Sequence, residues 1–338
     1  MSALRLVWLR RFIKNCILII FQEMDKSCIM DSLGRKALPF ISVVIPTYNR
    51  SRLLEDCIDS LLKQDYPKEK FEIIIVDDGS TERLPFDSRS IYFSCRATIR
   101  YFKFGINKGA GAARNMGLDM AVGEIVAFTD DDCIAESSWL RRISDTFLHF
   151  PDAAAVGGAV LNPGNSALSW ASYIIGFSSW FPTGKIRRIN NIPTCNIAYK
   201  RDEIKNNRFS EEYKDTVFED SLFNYELASR GKSFIFDPEI KIIHNKWGHS
   251  FDGRIFYQEQ VRYANGFLKG GYRVFGRPGK ILLKCPILNL LCLRIVFVFL
   301  RCLRSKKFLL KFISSFSLII KGEWSRNWLI FKGLRYGA

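Results

Sequence analysis

The chain has nine cysteines, an odd number, and no C-x-x-C pair; histidine occurs three times. Scattered, unpaired cysteines exclude a disulfide framework and a zinc ribbon, and favour a reducing compartment. No G-x-x-x-x-G-K-[ST] run is present, which excludes a P-loop, and His249 fits no H-E-x-x-H pattern. A dinucleotide-binding fingerprint would need glycines after the first strand, where Pro46-Thr-Tyr-Asn49 stands instead. Gly109-Ala-Gly-Ala-Ala-Arg114 comes too late and lacks the third glycine. Internal repeats and low-complexity tracts are also missing. What remains is ordinary globular composition, with 48% hydrophobic and 25% charged residues in 338, enough for a sizeable core.

Acidic residues are nearly absent from one end. Residues 270–338 hold 14 Lys/Arg against the single acid Glu323, and residues 1–36 hold seven bases against three acids. The middle is close to neutral, so the overall charge of +16 resides at the two ends. Such ends suit a polyanionic surface. The basic stretches are rich in apolar residues and no nucleic-acid module is recognisable, so the expected partner is an anionic membrane and not a nucleic acid. In the N-terminal arm, the apolar run Cys16–Phe21 is too short to span a bilayer, and a basic amphipathic surface helix is expected. Ile281–Leu300 would be long enough as a helix, about 30 Å, but Lys284, Pro286, Asn289 and Arg294 interrupt it. The Arg alone would cost roughly 2.5–3.5 kcal/mol at mid-membrane. Helices lying in the membrane interface are therefore expected after residue 270, with a span at 281–300, or packing on the main domain, as the alternatives. The domain reading is an arm at 1–38, a central domain at 39–269 and a basic apolar helical region at 270–338.

Strand and helix patterns alternate through the central part. Ile41–Ile45 reads as a strand stopped by Pro46, and Leu54 to Leu62 as an amphipathic helix. Phe71–Val76, Arg100–Phe104 and Glu124–Thr129 read as further strands, and Ala110–Met120 as a helix, which together argue for an α/β sheet. Asn162–Gly184 reads as loop with short elements, and its aromatics Trp170, Tyr173, Trp180 and Phe181 as buried core. Thr194–Lys200 reads as a short strand, and Thr216-Val-Phe-Glu219 as a capping box opening a helix that stops at Gly231. Phe234–Phe236 and Ile240–Ile243 read as two strands. Four polar clusters fall at strand ends, where open α/β sheets bind ligands. They are Pro46-Thr-Tyr-Asn49, Asp77-Asp-Gly-Ser80, the segment from Asn107 to Asn115, and Asp130-Asp131-Asp132. Three adjacent carboxylates repel one another unless a cation intervenes. In an extended segment Asp130 and Asp132 point the same way, and two hard oxygen ligands suit Mg²⁺ or Mn²⁺ with substrate phosphates. A solvated acidic turn is the competing reading of the triplet taken alone.

The order and spacing of these clusters resemble the family 2 glycosyltransferases, the inverting enzymes of GT-A fold. The resemblance rests on Ile41-Ser-Val-Val-Ile-Pro-Thr-Tyr-Asn49, Val76-Asp-Asp-Gly-Ser-Thr81, Asn107-Lys-Gly109 with Ala113-Arg-Asn115, and the acidic triplet. It continues through Phe218-Glu-Asp220 and Ala228-x-Arg-Gly231, and covers about Phe40 to His244. It implies a Rossmann-like mixed sheet flanked by helices and transfer of a sugar from a nucleotide-diphosphate donor. Carried over by position, Pro46, Tyr48, Asn49, Asp77, Asp78, Gly109, Arg114, Asp131 and Asn196 would form the donor site. Tyr48 would flank the base, the Asp77–Asp78 pair would bond base or ribose, and Asp131 and Asn196 would lie near the donor sugar. Asp130 and Asp132, with His244, would hold a Mn²⁺ or Mg²⁺ ion that stabilises the departing nucleoside diphosphate. Asp220 would be the general base. UDP is the commoner donor nucleotide of the family, ahead of GDP and dTDP. The expected acceptor is a cell-surface polysaccharide or lipid-linked glycan at the cytoplasmic membrane face. The alternatives are a polyprenyl-phosphate glycosyltransferase, or a non-catalytic basic scaffold that binds a membrane or nucleic acid.

Overall fold

The computed structural model describes residues 38–82, 91–93, 98–214, 217–247, 251–276, 281 and 294–336. The expected arm at 1–38 lies almost wholly outside the described residues. Residues Phe40–Ala338 form one compact unit, so the boundary expected at 269/270 falls inside it.

The first half alternates as the sequence patterns require. Strand β1 (Ile41–Thr47) leads to α1 (Ser51–Leu62), which buries Leu54, Cys57, Ile58 and Leu61 along one face. Next come β2 (Phe71–Asp77), β3 (Ile91–Phe93), β4 (Thr98–Lys103), α2 (Ala110–Met120) and β5 (Ile125–Phe128). The short β6 (Cys133–Ala135), α3 (Trp139–His149) and β7 (Ala153–Leu161) complete this half. The second half holds α4 (Ala167–Phe177), β8 (Arg187–Ile189), β9 (Ile197–Lys200), the single turn α5 (Arg201–Ile204), α6 (Glu219–Ser229) and β10 (Ser233–His244). Four further helices follow: α7 (Gly253–Lys269), α8 (Arg294–Cys302), α9 (Lys306–Ser314) and α10 (Phe316–Tyr336).

One mixed sheet runs β3-β4-β2-β1-β5-β9-β7-β10-β6, with β8 on β10. β1 lies between β2 and β5, parallel to both, with Ile41 opposite Phe71 and Ile125. The loops after these three strands therefore leave the same edge side by side, which brings the Tyr48, Asp78 and Asp130 segments together. β9 runs antiparallel to β5 and β7. β10 runs parallel to β7 and delivers His244 beside Cys133 of β6. The core includes Val44, Ile74, Val126, Phe128, Ile197, Tyr199, Phe209 and Phe223.

Helix α2 sits unusually close to β1. A Cβ on Gly117 would lie 2.2 Å from Val44 Cγ1, inside a fully buried strand. Gly117→Ala would gain about 1 kcal/mol of helix propensity but meet an overpacking cost of about 1–3 kcal/mol. We expect a net loss of stability, read as a lower urea midpoint; an unchanged midpoint would show that β1 yields.

Several expectations need correction. Pro46 does not stop β1 but lies inside it, opposite Val76. The pairing of β1 with β5 ends at Val44, so the imide nitrogen faces a side with no strand partner, where proline is tolerated. The 162–184 stretch contains a true helix, α4, capped by Ser166, whose Oγ accepts from the Ser169 amide. The two expected strands at 234–243 are one strand, with a register shift between Asp237 and Lys241. The expected capping box also fails. Thr216 lies outside the described residues, α6 begins at Glu219, and the residue before it is Phe218 at φ +100°.

The C-terminal helices pack on the domain. α10 lies against α7 and α4. Arg294 bonds Glu323 (3.2 Å) and the Ile175 carbonyl (2.6 Å), and Arg326 bonds Gln260 (2.7 Å). Residues 282–293 of the expected 281–300 segment lie outside the described residues. Its last part is α8, where Arg294 has a protein partner rather than a lipid environment. Among the described residues no helix is long and apolar enough to cross a membrane. Yet Phe297, Leu300, Leu310, Ile313, Trp324 and Trp328 are exposed along α8–α10.

Candidate active site

The edge where β1, β2 and β5 end is acidic and mostly buried. Asp130 is the most open of the triplet and accepts from Arg114 Nη2 at 2.9 Å. Arg114, on α2, gives its other terminal nitrogen to Glu219 at 2.8 Å. One buried guanidinium thus ties the acidic triplet to the first turn of α6. Burial pulls its pKa down, but Asp130, Glu219 and Asp220 outweigh that and hold it above the ordinary value. Its Nε has no hydrogen-bond partner.

Asp132 lies between two bases. Its Oδ2 accepts from Arg50 Nη1 (3.1 Å), and its Oδ1 is 3.4 Å from His244 Nδ1. Despite burial, the Asp132 pKa is held below the carboxylate norm, by His244 when that ring is protonated and by the permanent charge of Arg50. His244 is itself pushed down, first by burial, which favours the neutral imidazole. Its Nδ1 is buried and makes no hydrogen bond. The ligand atoms of Asp130, Asp132 and His244 lie within 4.8 Å of one another. Two carboxylates and a neutral imidazole with an orphaned nitrogen fit a divalent cation. Cys133, Cys195 and His244 also converge within that distance. Burial drives the Cys133 thiol well up, and Cys195, although Cys133 hydrogen-bonds to it, is also raised by burial. Metal-binding thiolates are disfavoured there, and the oxygen-rich set is the better cation site.

Asp131 turns away from that set. It accepts from Thr47 Oγ1 (2.8 Å) and Arg50 Nη1 (3.1 Å), and burial pushes its pKa up to about 7 against the pull of Arg50. Asp78 is buried and accepts from the Lys108 (2.6 Å) and Gly109 (2.8 Å) amides; burial raises its pKa. Gly109 is required at that turn. Its φ is +97°, and a Cβ would lie 3.0 Å from Lys214 Cα. Tyr48 is 42% exposed at the mouth. The Asn49 carboxamide oxygen accepts from the Thr81 amide (2.8 Å), joining the first two loops. Asp220 holds the Ser221 amide (2.6 Å) on Oδ1 and faces the Thr194 amide (3.4 Å) with Oδ2. Among the described non-glycine residues, Asn49 and Phe218 have positive φ, and both adjoin site segments. For Phe218 that backbone is strained and sets the entry of α6, just ahead of Asp220.

Three expected donor contacts are not available as drawn. Asn196 is fully buried; its Nδ2 donates to the Ala159 and Ile240 carbonyls and its Oδ1 accepts from Trp139 Nε1 at 2.8 Å. It pins strands together and offers a ligand nothing. Asn196→Ala should destabilise by about 1–3 kcal/mol, because three buried groups lose their partner. Nucleotide binding by the protein that still folds should be unchanged; weakened binding would return Asn196 to the site. Asp77 is likewise fully buried, bonded to the Ser80 amide (2.7 Å) and Tyr101 hydroxyl (2.6 Å), so it builds the turn. Pro46 is a buried strand residue. Glu219, expected to cap its helix, is the ion-pair partner of Arg114. Arg50 was not anticipated. Its only signal is a cation directly after Asn49, and its acidic partners are more than eighty residues away.

Residues 42–208 match the sequence profile of Glycosyl transferase family 2. This stretch is a family 2 glycosyltransferase domain. Glycosyltransferase AglE of Haloferax volcanii is 31% identical over 175 residues, which is 50% of this chain and 55% of that protein. The glucosyl-dolichyl phosphate glucuronosyltransferase of the same organism is 35% identical over 175 residues, 48% of this chain and 53% of that protein. The chain thus spans about half the length of these two relatives. The mannosyltransferase PcManGT of Pyrobaculum calidifontis, solved with GDP-Man and Mn²⁺, superposes with a TM-score of 0.57. The match covers 97% of each chain at 16% identity, and shows that the family 2 domain and the helices around it share a GT-A type fold.

Proposed function

We propose that this protein is an inverting glycosyltransferase that moves a sugar from a nucleoside-diphosphate donor to a hydroxyl of a lipid-linked glycan or polysaccharide. The observation that carries this reading is the convergence of Asp130, Asp132 and the orphaned His244 nitrogen at the strand ends, with Arg114 linking them to the turn that bears Asp220. Asp130, Asp132 and His244 would hold Mn²⁺ or Mg²⁺, and that ion supplies charge stabilisation for the departing diphosphate. Tyr48, at the open mouth, flanks the base. The Asp78 carboxylate, held in place by the Lys108 and Gly109 amides, receives the nucleoside. Arg114 fixes Asp130, and Asp220 stands in the first turn of α6. Asp220 then takes the proton from the acceptor hydroxyl as its oxygen attacks the anomeric carbon from the far side.

The fold relative binds GDP-Man and one sequence relative is named for a dolichyl-linked acceptor, which supports a nucleotide-sugar donor and a lipid-linked acceptor. The basic, apolar α8–α10 face supports a peripheral position on an anionic membrane, at its cytoplasmic side. The test is thermal shift of the purified chain against UDP-, GDP- and dTDP-sugars with and without Mn²⁺, followed by transfer to a membrane lipid extract. A ligand at a hundred times its Kd stabilises by about 2.7 kcal/mol. A cation-dependent shift with one nucleotide class and an anomerically inverted product are expected. No shift and no transfer with any donor would overturn the proposal.

A further inference from the structure

Two sulfurs stand directly beside the candidate cation site and take no part in the proposed transfer. Cys133 opens β6 and is the cross-strand partner of His244 on β10. Cys195 lies in the turn before β9, where the Thr129 hydroxyl donates to its carbonyl at 3.1 Å. The ligand atoms of Cys133, Cys195 and His244 all lie within 4.8 Å of one another. All three residues are buried. One buried cysteine is a small hydrophobe, but two thiols converging on an imidazole make a set of metal ligands.

A fourth ligand is in place. Cys133 Sγ donates to Asp132 Oδ1 at 3.8 Å, and His244 Nδ1 lies 3.4 Å from the same oxygen. Asp132 Oδ2 is taken by Arg50, so Oδ1 is the oxygen turned to the sulfur side. Sulfurs bound to a tetrahedral Zn²⁺ at about 2.3 Å stand about 3.8 Å apart. The spacing seen here therefore needs only a small contraction. Two ligands sit on paired strands and the third on a turn pinned by a hydrogen bond, so the set is held by rigid elements.

Hardness separates this set from its neighbour. Burial keeps both thiols protonated, and hard ions such as Mn²⁺ and Mg²⁺ do not displace those protons. A soft ion does, because its bond to sulfur replaces the bond to hydrogen; a coordinated thiol is deprotonated outright. The two protons leave to solvent. Two thiolates and Asp132 then bring three negative charges against two on Zn²⁺, and Arg50 on Asp132 offsets the remainder. The two sets share His244 and Asp132. An ion on the sulfur set leaves Mn²⁺ with Asp130 alone, next to a second dication that repels it. Phe177 and Trp247 pack on the His244 ring, with centres 5.7 and 5.3 Å away, and keep it from turning out of the sulfur set.

We propose that Cys133, Cys195, His244 and Asp132 form a second cation site, selective for a soft divalent ion such as Zn²⁺, and that an ion seated there excludes the catalytic one. Zn²⁺ is thereby an inhibitor with a built site of its own. The exclusion rests on the Asp130–Asp132–His244 reading above; ligation by sulfur does not.

The test is titration of the full chain, reduced and stripped of metal, with Co²⁺ in place of Zn²⁺. Thiolate ligation gives Co²⁺ an intense near-ultraviolet charge-transfer band, which oxygen and nitrogen ligands do not. The wild type should show that band, and Zn²⁺ should bleach it. Cys133→Ala with Cys195→Ala should abolish it, the remaining cysteines being left in place. Zn²⁺ affinity should fall at least about 100-fold in that variant, beyond the 10–100-fold typical of losing an outer-shell partner. Mn²⁺ binding, read by electron paramagnetic resonance without any donor, should be unchanged in the variant. In the wild type Zn²⁺ should release the Mn²⁺; in the variant the release should need correspondingly more Zn²⁺. Should the double variant not fold, Cys195→Val, close in volume, carries the result through a weakened band. No sulfur band in the wild type, a band unchanged in the variants, or Mn²⁺ that stays bound at saturating Zn²⁺ overturns the proposal. Failure of the transferase reading looks different: a wild type that binds no Mn²⁺ sinks the candidate catalytic set, and the Co²⁺ spectrum still decides the sulfur site.

Discussion

Asp132→Ala should lower sugar transfer by on the order of 10³-fold, the scale of losing one preorganised electrostatic contact to a developing diphosphate charge. The same change should abolish the Mn²⁺-dependent part of any nucleotide-induced thermal shift. Asp132 is singled out because it is buried between His244 and Arg50 and belongs to the candidate cation set. Asp131, one residue earlier, is engaged by Thr47 and Arg50. Removing Asp132 should not unfold the protein, since Arg50 keeps Asp131 as partner and a neutral imidazole tolerates the loss of a carboxylate. Asp132→Asn, which keeps the shape, should lose the Mn²⁺ effect almost as fully. The measurement is Mn²⁺ titration followed by electron paramagnetic resonance, alongside transfer rates. Wild-type Mn²⁺ affinity in Asp132→Ala, or transfer within tenfold of wild type, would sink this assignment.

How far the sequence could be read depended on where each signal lies along the chain. β1 and β2 are β-branched runs ended by turn residues, and α1 buries a clean stripe, so their patterns are local and strong. β7 is Ala-Ala-Ala-Val-Gly-Gly-Ala-Val-Leu, with little β propensity of its own. It is a strand because its neighbours come too close for anything larger. A Cβ on Gly157 would lie 2.3 Å from the Asn196 carbonyl oxygen, and one on Gly158 2.0 Å from that of Ile240. That requirement is tertiary and cannot be seen in the segment alone. α4 was missed for a different reason. Its residues are apolar nearly all round, so no 3.6-residue alternation marks it, and its burial of Trp170, Tyr173 and Ile174 comes from α9 and α10 packing over it.

The site divides in the same way. Its acidic triplet and Asp78 are contiguous motifs at strand ends, and both topology and chemistry point to them. Their neighbours are set by distant chain. Arg50 reaches Asp131 and Asp132, Arg114 reaches Glu219, and Trp139 reaches Asn196. Asn196 shows the cost of carrying a role by position alone: the side chain that matches a donor-site position is consumed by three buried hydrogen bonds. The C-terminal region combines two readings that looked exclusive. One face of α8–α10 packs on the domain through the Arg294–Glu323–Arg326 cluster, while Phe297, Leu300, Leu310 and Ile313 stay exposed among lysines and arginines. Packing on the domain uses one side of these helices and leaves the opposite side for the membrane position proposed above.

Asp220→Asn is expected to lower kcat by about 10²–10⁴-fold, the range for removing a positioned general base, with donor KM and the Mn²⁺-dependent thermal shift unchanged. The separation follows from the division of labour at the start of α6. Glu219 pairs with Arg114 and through it with Asp130, so it supports the donor side. Asp220 has no cationic hydrogen-bond partner among the described residues; it meets backbone amides of Ser221 and Thr194. Asn keeps those contacts in size and shape, so the fold should survive and only the proton acceptor is lost. Glu219→Gln makes the contrasting case. It weakens the Arg114 bridge, and should lower thermal stability and donor affinity along with rate. If Asp220→Asn kept kcat within tenfold of wild type, or raised donor KM as Glu219→Gln does, Asp220 would be a helix-end acid and the base would lie elsewhere. With the strained Phe218 two residues before it, Asp220 is held by a backbone that the surrounding packing, including Gly266 and Gly271 against the Phe218 ring, fixes in place. Enlarging either glycine should therefore affect kcat before it affects donor binding.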